Sequence, residues 1–232
     1  MVKSTVRSPD DEPVLPAPNA PRVLREAAIN ETRRMLILDA ARSAFFELGL
    51  EGASLREIAK RAGYTPGALY SYFGSREEIY AALLGESLQR LKQCVDDATP
   101  AGGVAATDER AALVALLRAR AIAFFGFYRD HPQDMDLGFY LFNGARPRGL
   151  TPELNQQLNG RLQAALLPIQ ELLVQLGLNE AEAVIETSAI FAHIVGLLML
   201  NNTGRIRLFG QNAHDLLVRY LDPLSARFAG PA

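Results

Sequence analysis

Residues 54–73 constrain the fold of this chain more than any other stretch, because they hold the start and stop signals of two short helices. Ser54 followed by Glu57 has the spacing of a capping box, which predicts a helix beginning directly after Ser54. Gly63 allows the positive φ that a tight turn after this helix requires. A Thr-Pro pair then fits the N-cap and first position of a second helix. The stretch therefore predicts two helices joined by a tight turn.

The apolar positions of this stretch separate an inner face from an outer face. In the first helix, Leu55, Ile58 and Ala59 recur at the i, i+3, i+4 spacing of one buried face. In the second helix, Leu69 and Phe73 are four residues apart, so both are expected to point into a shared core. The small polar and phenolic side chains between them then lie outside this core or at its edge. A short helix with such an outer face suits the major groove of DNA.

The same stretch resembles the helix-turn-helix of the tetracycline-repressor (TetR) family of bacterial transcriptional regulators. The resemblance extends over residues 33–84 and is carried by Phe45, Phe46, Gly49, Ile58, Ala59, Ala62, Gly63, 65–73 and 75–79. It implies an all-α fold with an N-terminal three-helix helix-turn-helix DNA-binding domain and a C-terminal helical domain for ligand binding and dimerisation. Arg76 stands where the family usually has lysine, which keeps the charge. Gly67 and Ala68 offer few side-chain donors for reading bases.

The candidate DNA contacts lie at helix starts and on the outer side of the second helix. The resemblance implies that Tyr70 and Tyr72 contact phosphates, and the alternative is a tyrosine held in the core. Thr65 lies at a helix N-terminus, where its hydroxyl and the free N–H groups can bind phosphate. Arg56 lies on the first helix, and Arg76 lies at the start of the next helix. The predicted set is Ser54, Arg56, Thr65, Gly67, Ala68, Tyr70, Ser71, Tyr72 and Arg76.

Composition narrows the classes of function without choosing one. A chain of 232 residues, 49% of them hydrophobic, can bury a core in one or two domains. Its net charge of −2 does not indicate nucleic-acid binding, but phosphate contacts need only a few aligned cations. Lys60 and Arg61 fit such a contact and a solvated helix face equally well. A single cysteine, Cys94, excludes an intramolecular disulfide, and no metal-ligand spacing is present, so neither metal nor cofactor is expected.

The sequence also predicts a location and a domain division. The N-terminus has no apolar signal region, and the longest apolar run, 189–200, is too short to span a bilayer, so we expect a cytoplasmic protein without a membrane partner. Residues 1–20 are rich in proline and mixed charge, which predicts a disordered tail rather than an arm that reaches into a minor groove. Residues 21–75 are then the DNA-binding domain, and residues 76–232 the regulatory and dimerisation domain.

Helical periodicity continues along the rest of the chain, and no strand pattern occurs. Predicted helices cover residues 23–48, 76–95, 107–128, 133–142, 151–176, 179–201 and 212–228. The helix at 76–95 is long enough to belong to both domains and to transmit motion between them. The first of these helices is expected to bury a wide stripe formed by Leu36, Ile37, Ala40, Ala41, Ser43, Ala44, Phe45, Phe46 and Leu48.

The second domain has an aromatic-rich centre that predicts either a small-molecule pocket or an ordinary core. For any single residue the core reading is favoured, although the resemblance implies a cavity here. The predicted pocket residues are Arg120, Phe124, Phe127, Tyr128, Phe139, Tyr140, Asn143 and His193. The resemblance also implies a homodimer interface formed by the last two helices, as an isologous four-helix contact. Its predicted residues are Ile194, Leu198, Leu217, Tyr220, Leu221 and Leu224.

Catalysis is the alternative that the residues favour least. His214 and Asp215 are adjacent, and neighbours on a helix point about 100° apart, so they do not share a site. No Gly-x-Ser-x-Gly nucleophile motif occurs. The sequence instead predicts a ligand-responsive repressor that binds a palindromic DNA operator as a homodimer and is released by a small molecule. The alternative is a helical interaction or small-molecule-sensing protein with transcriptional activation or without specific DNA binding.

Overall fold

The described part of the chain consists of nine α-helices and one 3-10 helix. In this computed structural model, residues 20–100, 108–139 and 150–228 are described. The elements are α1 (Ala20–Gly52), α2 (Leu55–Ala62), α3 (Pro66–Tyr70), α4 (Arg76–Asp96), α5 (Glu109–Asp130), α6 (Pro132–Gly138), α7 (Pro152–Gln175), α8 (Glu180–Asn202), the 3-10 helix (Arg205–Phe209) and α9 (Ala213–Phe228). No strand occurs within these three ranges, and the predicted all-α fold is confirmed. The predicted tail at residues 1–20 lies almost entirely outside them.

Helix α1 carries the core of the N-terminal unit on one face. Gly49 has the positive φ that a helix end favours, at 70°, but its ψ of 171° is extended rather than left-handed helical, and helical structure resumes until Gly52. The predicted apolar stripe is wrong at four positions, because α2 and α4 pack on only one side of α1. Leu36, Phe46 and Leu48 are 50%, 54% and 45% exposed, and Ser43 is exposed as well. The buried side chains are Ile37, Leu38, Ala41, Ala44 and Phe45.

Helix α4 joins the N-terminal unit to the rest of the molecule. Helical spacing in the sequence predicts one apolar stripe on this helix, and all five of its residues are buried: Tyr80, Leu83, Leu84, Leu88 and Leu91. The first turns of α4 pack on α1, and later turns pack on α5, α6 and most extensively on α7. The Tyr80 hydroxyl donates a hydrogen bond to the carbonyl of Leu137 on α6, and the Tyr80 ring meets that of Phe45 edge-on. One buried tyrosine therefore contacts both α1 and α6.

Helices α5, α7, α8 and α9 complete a second bundle around α4. Asn179 and Glu182 form a complete capping box at the start of α8, where a helix was predicted to begin. Pro168 lies inside α7, and its carbonyl accepts a hydrogen bond of 2.8 Å from Nη1 of Arg120 on α5. The 3-10 helix between α8 and α9 was not predicted, and Pro223 lies within α9.

By length and composition alone, α5 and α8 could each cross a membrane. Their most apolar windows have mean hydropathies of 1.6 and 1.9. Both helices also pack within the bundle, since α5 contacts α4, α7, α8 and α9, and α8 contacts α5, α7 and α9. Core helices of a helical bundle have this composition because neighbouring helices cover them on more than one side.

Which face of α1 is buried can be tested with a matched pair of leucines two residues apart. We expect Leu38→Ala to lower the free energy of unfolding by about 2–5 kcal/mol, because Leu38 is buried and the substitution leaves a cavity. Leu36→Ala is expected to cost less than about 1 kcal/mol because this side chain is half exposed. Urea denaturation measures both. A larger loss for Leu36→Ala would contradict the observed face.

Candidate nucleic-acid interface and effector cavity

Helix α2 begins and ends as predicted, with one difference at its cap. The Ser54 hydroxyl accepts a hydrogen bond of 3.2 Å from the Glu57 N–H. The return bond of a full capping box is absent here, because the Ser54 N–H donates to the carbonyl of Gly52 and the Glu57 carboxylate pairs with Arg61. Gly63 closes the helix with φ 75° and ψ 24°. The tight turn after α2 therefore depends on a backbone conformation that glycine adopts without strain.

Helix α3 is short and lies on the surface. The Thr65 hydroxyl caps it by accepting a hydrogen bond of 3.2 Å from the Ala68 N–H. The α-helix ends at Tyr70, and the Ser71 hydroxyl donates back to the Ala68 carbonyl at 2.7 Å. Leu69 is fully buried and Phe73 nearly so, as the spacing predicted. The opposite side, with Gly67, Tyr70 and Ser71, is exposed, and Ala68 is half-buried.

Two consecutive arginines of α1 hold the end of this unit in place. Tyr72 is half-buried, and the nearness of its hydroxyl raises the pKa of the Arg33 guanidinium. The guanidinium of Arg34 lies 4.4 Å from the centre of the Phe73 ring, in cation–π geometry. Sequence reasoning missed both arginines, since nothing in their spacing relates them to residues 72 and 73.

The basic side chains of the unit divide into free and paired ones. Arg56 and Lys60 are exposed and form no ion pair within the described ranges. Arg61 is a structural residue, because it contacts Glu57 on its own helix and Glu47 on α1 at 2.8 and 2.9 Å. The hydrogen bond from Arg61 lowers the pKa of Glu47. Arg76 is half-buried and lies 2.9 Å from the Glu77 carboxylate, so its charge is partly balanced.

A cavity of about 380 Å³ lies between α4, α5, α6, α7 and α8. The wall is mostly aliphatic and aromatic, with contributions from all five helices: Leu84, Leu88, Tyr128, Gly138, Phe139, Leu158, Asn159, Leu162 and Phe191. Mostly apolar walls with few polar groups are typical of small-molecule sites of about 300–1,000 Å³. The cavity is therefore the candidate effector site of the described region.

Two of the predicted pocket residues, Tyr128 and Phe139, line this cavity. Phe124 lies behind its wall against Phe191, with ring centres 5.8 Å apart. Phe127 packs between Tyr128 and His131. The other predicted residues are further away or unplaced: Arg120 donates to Pro168, His193 stacks on Tyr220 with ring centres 4.0 Å apart, and Tyr140 and Asn143 lie outside the described residues.

Sequence reasoning missed the walls of the cavity that come from α4 and α7. Leu84 and Leu88 were predicted as core, and Leu158 and Leu162 follow the ordinary spacing of a buried stripe. Asn159 is an exposed polar residue at the cavity. No sequence signal separates a leucine that packs against a neighbour from one that faces an empty space. Among the described residues, no group of three or more His, Cys, Asp or Glu side chains is placed to hold a metal ion.

Residues 37–83, which include α2, α3 and the first turns of α4, match the family model described as bacterial regulatory proteins, tetR family. These residues form a TetR-family helix-turn-helix unit. The match covers α3, which is capped and faces solvent, and the helices that support it. It confirms the resemblance to the TetR family that residues 33–84 showed in the sequence.

The curated relatives resemble the chain over part of its length. It is 36% identical over 64 residues to the HTH-type transcriptional repressor AcnR of Corynebacterium efficiens, a match that covers 28% of this chain and 34% of that protein. It is 35% identical over 109 residues to the HTH-type transcriptional activator FasR of Mycolicibacterium smegmatis, covering 47% and 46%. The chain thus spans between about a third and a half of the length of these relatives.

Solved structures resemble the chain over nearly its whole length. The transcriptional regulator FadR from Bacillus subtilis, solved in complex with stearoyl-CoA, has a TM-score of 0.57 and 21% identity. The similarity covers 82% of this chain and 97% of FadR. At this identity the likeness concerns the fold alone, and it extends the all-α TetR architecture from the helix-turn-helix to the C-terminal helices.

The predicted dimer residues require a correction. Ile194, Leu198, Leu217 and Leu221 are fully buried inside the single chain, and Leu224 is 5% exposed, so their side chains are not available to a partner. Tyr220 is half-buried and stacks on His193. The helices were apolar nearly all round, and the sequence did not reveal which side packs on its own chain. The outer side of α8 instead carries Ile185, Ala189, Ala192 and Gly196, which are all exposed at heptad-like spacing.

The difference between Arg61 and Arg56 gives a stability test. We expect Arg61→Ala to lower the melting temperature at pH 7, because it removes the contacts between α2 and α1, whereas Arg56→Ala leaves it unchanged. The pairing lowers the pKa of Glu47, so its stabilisation is present above the ordinary glutamate pKa of about 4.3 and is lost as the pH falls through the lower folded value.

Melting curves of the wild type and both variants between pH 7 and pH 3 check this expectation. The gap between the wild type and Arg61→Ala should close towards the acid end. Equal melting temperatures for the two variants at pH 7 would contradict the structural role of Arg61.

Proposed function

We propose that this protein is a transcriptional repressor that binds its DNA operator as a homodimer and leaves it when a small molecule occupies the cavity. The observation that carries this proposal is the helix-turn-helix, in which α3 is capped, supported from behind by Leu69 and open to solvent on its other side. Such a unit can enter a major groove because its outer side is short, small and polar.

The DNA contacts follow from exposure and charge around α3. Tyr70 is 57% exposed, and Ser71 lies beside it on the outer side. Arg56 and Lys60 are exposed on α2, where they can approach the phosphate backbone next to the groove. Phosphate contacts of this kind give affinity without sequence preference, and base contacts come from the groove-facing side chains. With Gly67 and Ala68 at the front of α3, we propose that few side chains read bases directly.

Dimerisation supplies the second half of the proposed operator contact. Two recognition helices about 34 Å apart meet successive major grooves on one side of the duplex, and two-fold symmetry of the protein then requires a palindromic site. The exposed apolar side of α8 suits an isologous contact, in which the same patch of each chain meets its copy. With DNA as its partner, the location that we propose is the cytoplasm.

Helix α4 is the proposed link between ligand and DNA. Leu84 and Leu88 line the cavity, and one turn earlier Tyr80 packs on Phe45 of α1. Two orientations of α4 that differ in ligand affinity would therefore differ in the position of the helix-turn-helix. A coupling of about 1–3 kcal/mol between the two sites changes DNA affinity roughly 5- to 150-fold, which is enough to release an operator.

We propose that the protein represses transcription, and both repressors and activators occur among the relatives. AcnR is named a repressor and FasR an activator. Mapping of bound sites across the genome, followed by reporter assays at those sites, tests the direction. Loss of the gene should raise expression from the bound promoters, whereas lower expression there would support activation.

Arg56 provides a direct test of phosphate contact. We expect Arg56→Ala to weaken binding to all DNA sequences alike and to reduce the slope of log affinity against log salt by about 1 per bound chain, because one phosphate contact is lost. Arg129→Ala is the matched control, since Arg129 is exposed on α5 and pairs with its neighbour Asp130. Gel retardation over a salt series measures both. An unchanged slope, or loss at one operator only, would contradict this role.

The outer side of α8 provides the test of the dimer. We expect Ile185→Glu and Gly196→Glu to give folded monomers with weaker operator binding, because like charges would meet across the two-fold axis. Gln89→Glu on the exposed side of α4 is the control and should remain dimeric. Sizing by light scattering and circular dichroism separate monomers from unfolded chains. Dimers that persist in both α8 variants would argue against this interface.

A further inference from the structure

The cavity is uncharged over all the lining that the structure describes. Its walls come from aliphatic and aromatic side chains, and the polar groups on them are those of Tyr128 and Asn159, with Asn159 exposed. No Arg, Lys, His, Asp or Glu is among these lining residues. A buried charge without a partner is costly, so a ligand that placed a full charge among these groups would bind poorly. The lining therefore favours a neutral molecule.

Tyr128 is the one buried polar side chain on this lining. It is 99% buried, with 1% relative exposure, and its hydroxyl has no hydrogen-bond partner among the described residues. A methyl group added at Gly138 would lie 3.4 Å from the hydroxyl oxygen, so the absence of a side chain there leaves the hydroxyl open at the cavity wall. Burial raises the pKa of Tyr128, which keeps the phenol protonated and able to donate.

Four aromatic rings fix the position of this hydroxyl. The Tyr128 ring contacts those of Phe124 and Phe139, with centres 5.6 and 5.5 Å apart. The ring of Phe191 contacts both of these phenylalanine rings, with its centre 5.8 Å from that of Phe124 and 6.3 Å from that of Phe139. Most of these contacts are edge-on or tilted, so much of each ring face is already covered by another ring. Little open π surface therefore remains to surround a cation.

We propose that the effector is a neutral, mainly apolar small molecule whose one buried hydrogen-bond acceptor, such as an ester or amide carbonyl oxygen, is bound by the hydroxyl of Tyr128. The name effector rests on the proposed function, but occupation of the cavity does not depend on DNA. Because this hydroxyl is open at the cavity wall, an acceptor on the ligand can take its hydrogen bond in place of water. Apolar walls then contribute affinity by burying the remainder of the molecule.

Three probes of equal chain length and different charge test the ligand class on the full-length protein. These are methyl octanoate, sodium octanoate and octyltrimethylammonium chloride, titrated by calorimetry at pH 7.5. We expect the ester to bind at least tenfold more tightly than either ion. Tighter binding of the carboxylate or of the ammonium ion, or no heat from the ester, would overturn the proposal.

Substitutions test the role of the hydroxyl itself. Tyr128→Phe should lower the affinity for the ester by about threefold to tenfold, because the substitution removes one hydrogen bond and keeps the ring. Tyr64→Phe, in a tyrosine outside the cavity, should leave ester affinity unchanged. Leu158→Trp and Leu162→Trp should abolish binding by filling the space, and circular dichroism confirms that they are folded. Equal ester affinity in Tyr128→Phe and the wild type would overturn the assignment.

Operator retardation in the absence of probe is measured on the same samples. If the ester binds and DNA does not, the proposed regulation fails while the ligand class stands. If DNA binds and none of the probes does, the ligand class fails while the regulator stands.

Discussion

Helix α4 buries one apolar stripe that both halves of the molecule use. Its first turns complete the small core behind α3, where Tyr80 meets Phe45, and its later turns form the floor of the cavity through Leu84 and Leu88. The N-terminal unit buries a core of its own on α1, α2 and α3, and its α1 packs on α4, so its orientation depends on this shared helix. Any rotation of α4 that repacks the cavity therefore moves the surface that we propose to contact DNA.

Local signals predicted the helix-turn-helix well because its geometry is set within a few residues. Thr65 caps α3 with the hydrogen bond expected from sequence, and Gly63 has the positive φ that its position required. The arginine contacts to residues 72 and 73 could not be predicted in this way. They join residues that are about forty positions apart in the sequence. The way α1 crosses the unit brings these residues close together in space.

The second half was predicted less completely because its helices are apolar on more than one side. Helical spacing located α8 and α9 but did not show that Ile194 and Leu217 pack within one chain while Ile185 and Ala192 remain outside. The cavity raised the same difficulty. Leu158 belongs to an ordinary apolar stripe in sequence, and only the arrangement of five helices shows that it faces an open space. The division between the two domains at residue 75 stays a prediction.

The most direct test of the account is DNA cleavage from a reagent attached to the outer side of α3. In a Cys94→Ser background, Ser71→Cys carries an iron chelate, and Gln211→Cys, exposed between the 3-10 helix and α9, carries it as the control. Bound to its operator, the protein labelled at position 71 should cut DNA at two places about 10 base pairs apart, with the control silent. Absence of cleavage from position 71, with the complex intact, would contradict the central claim that α3 meets DNA.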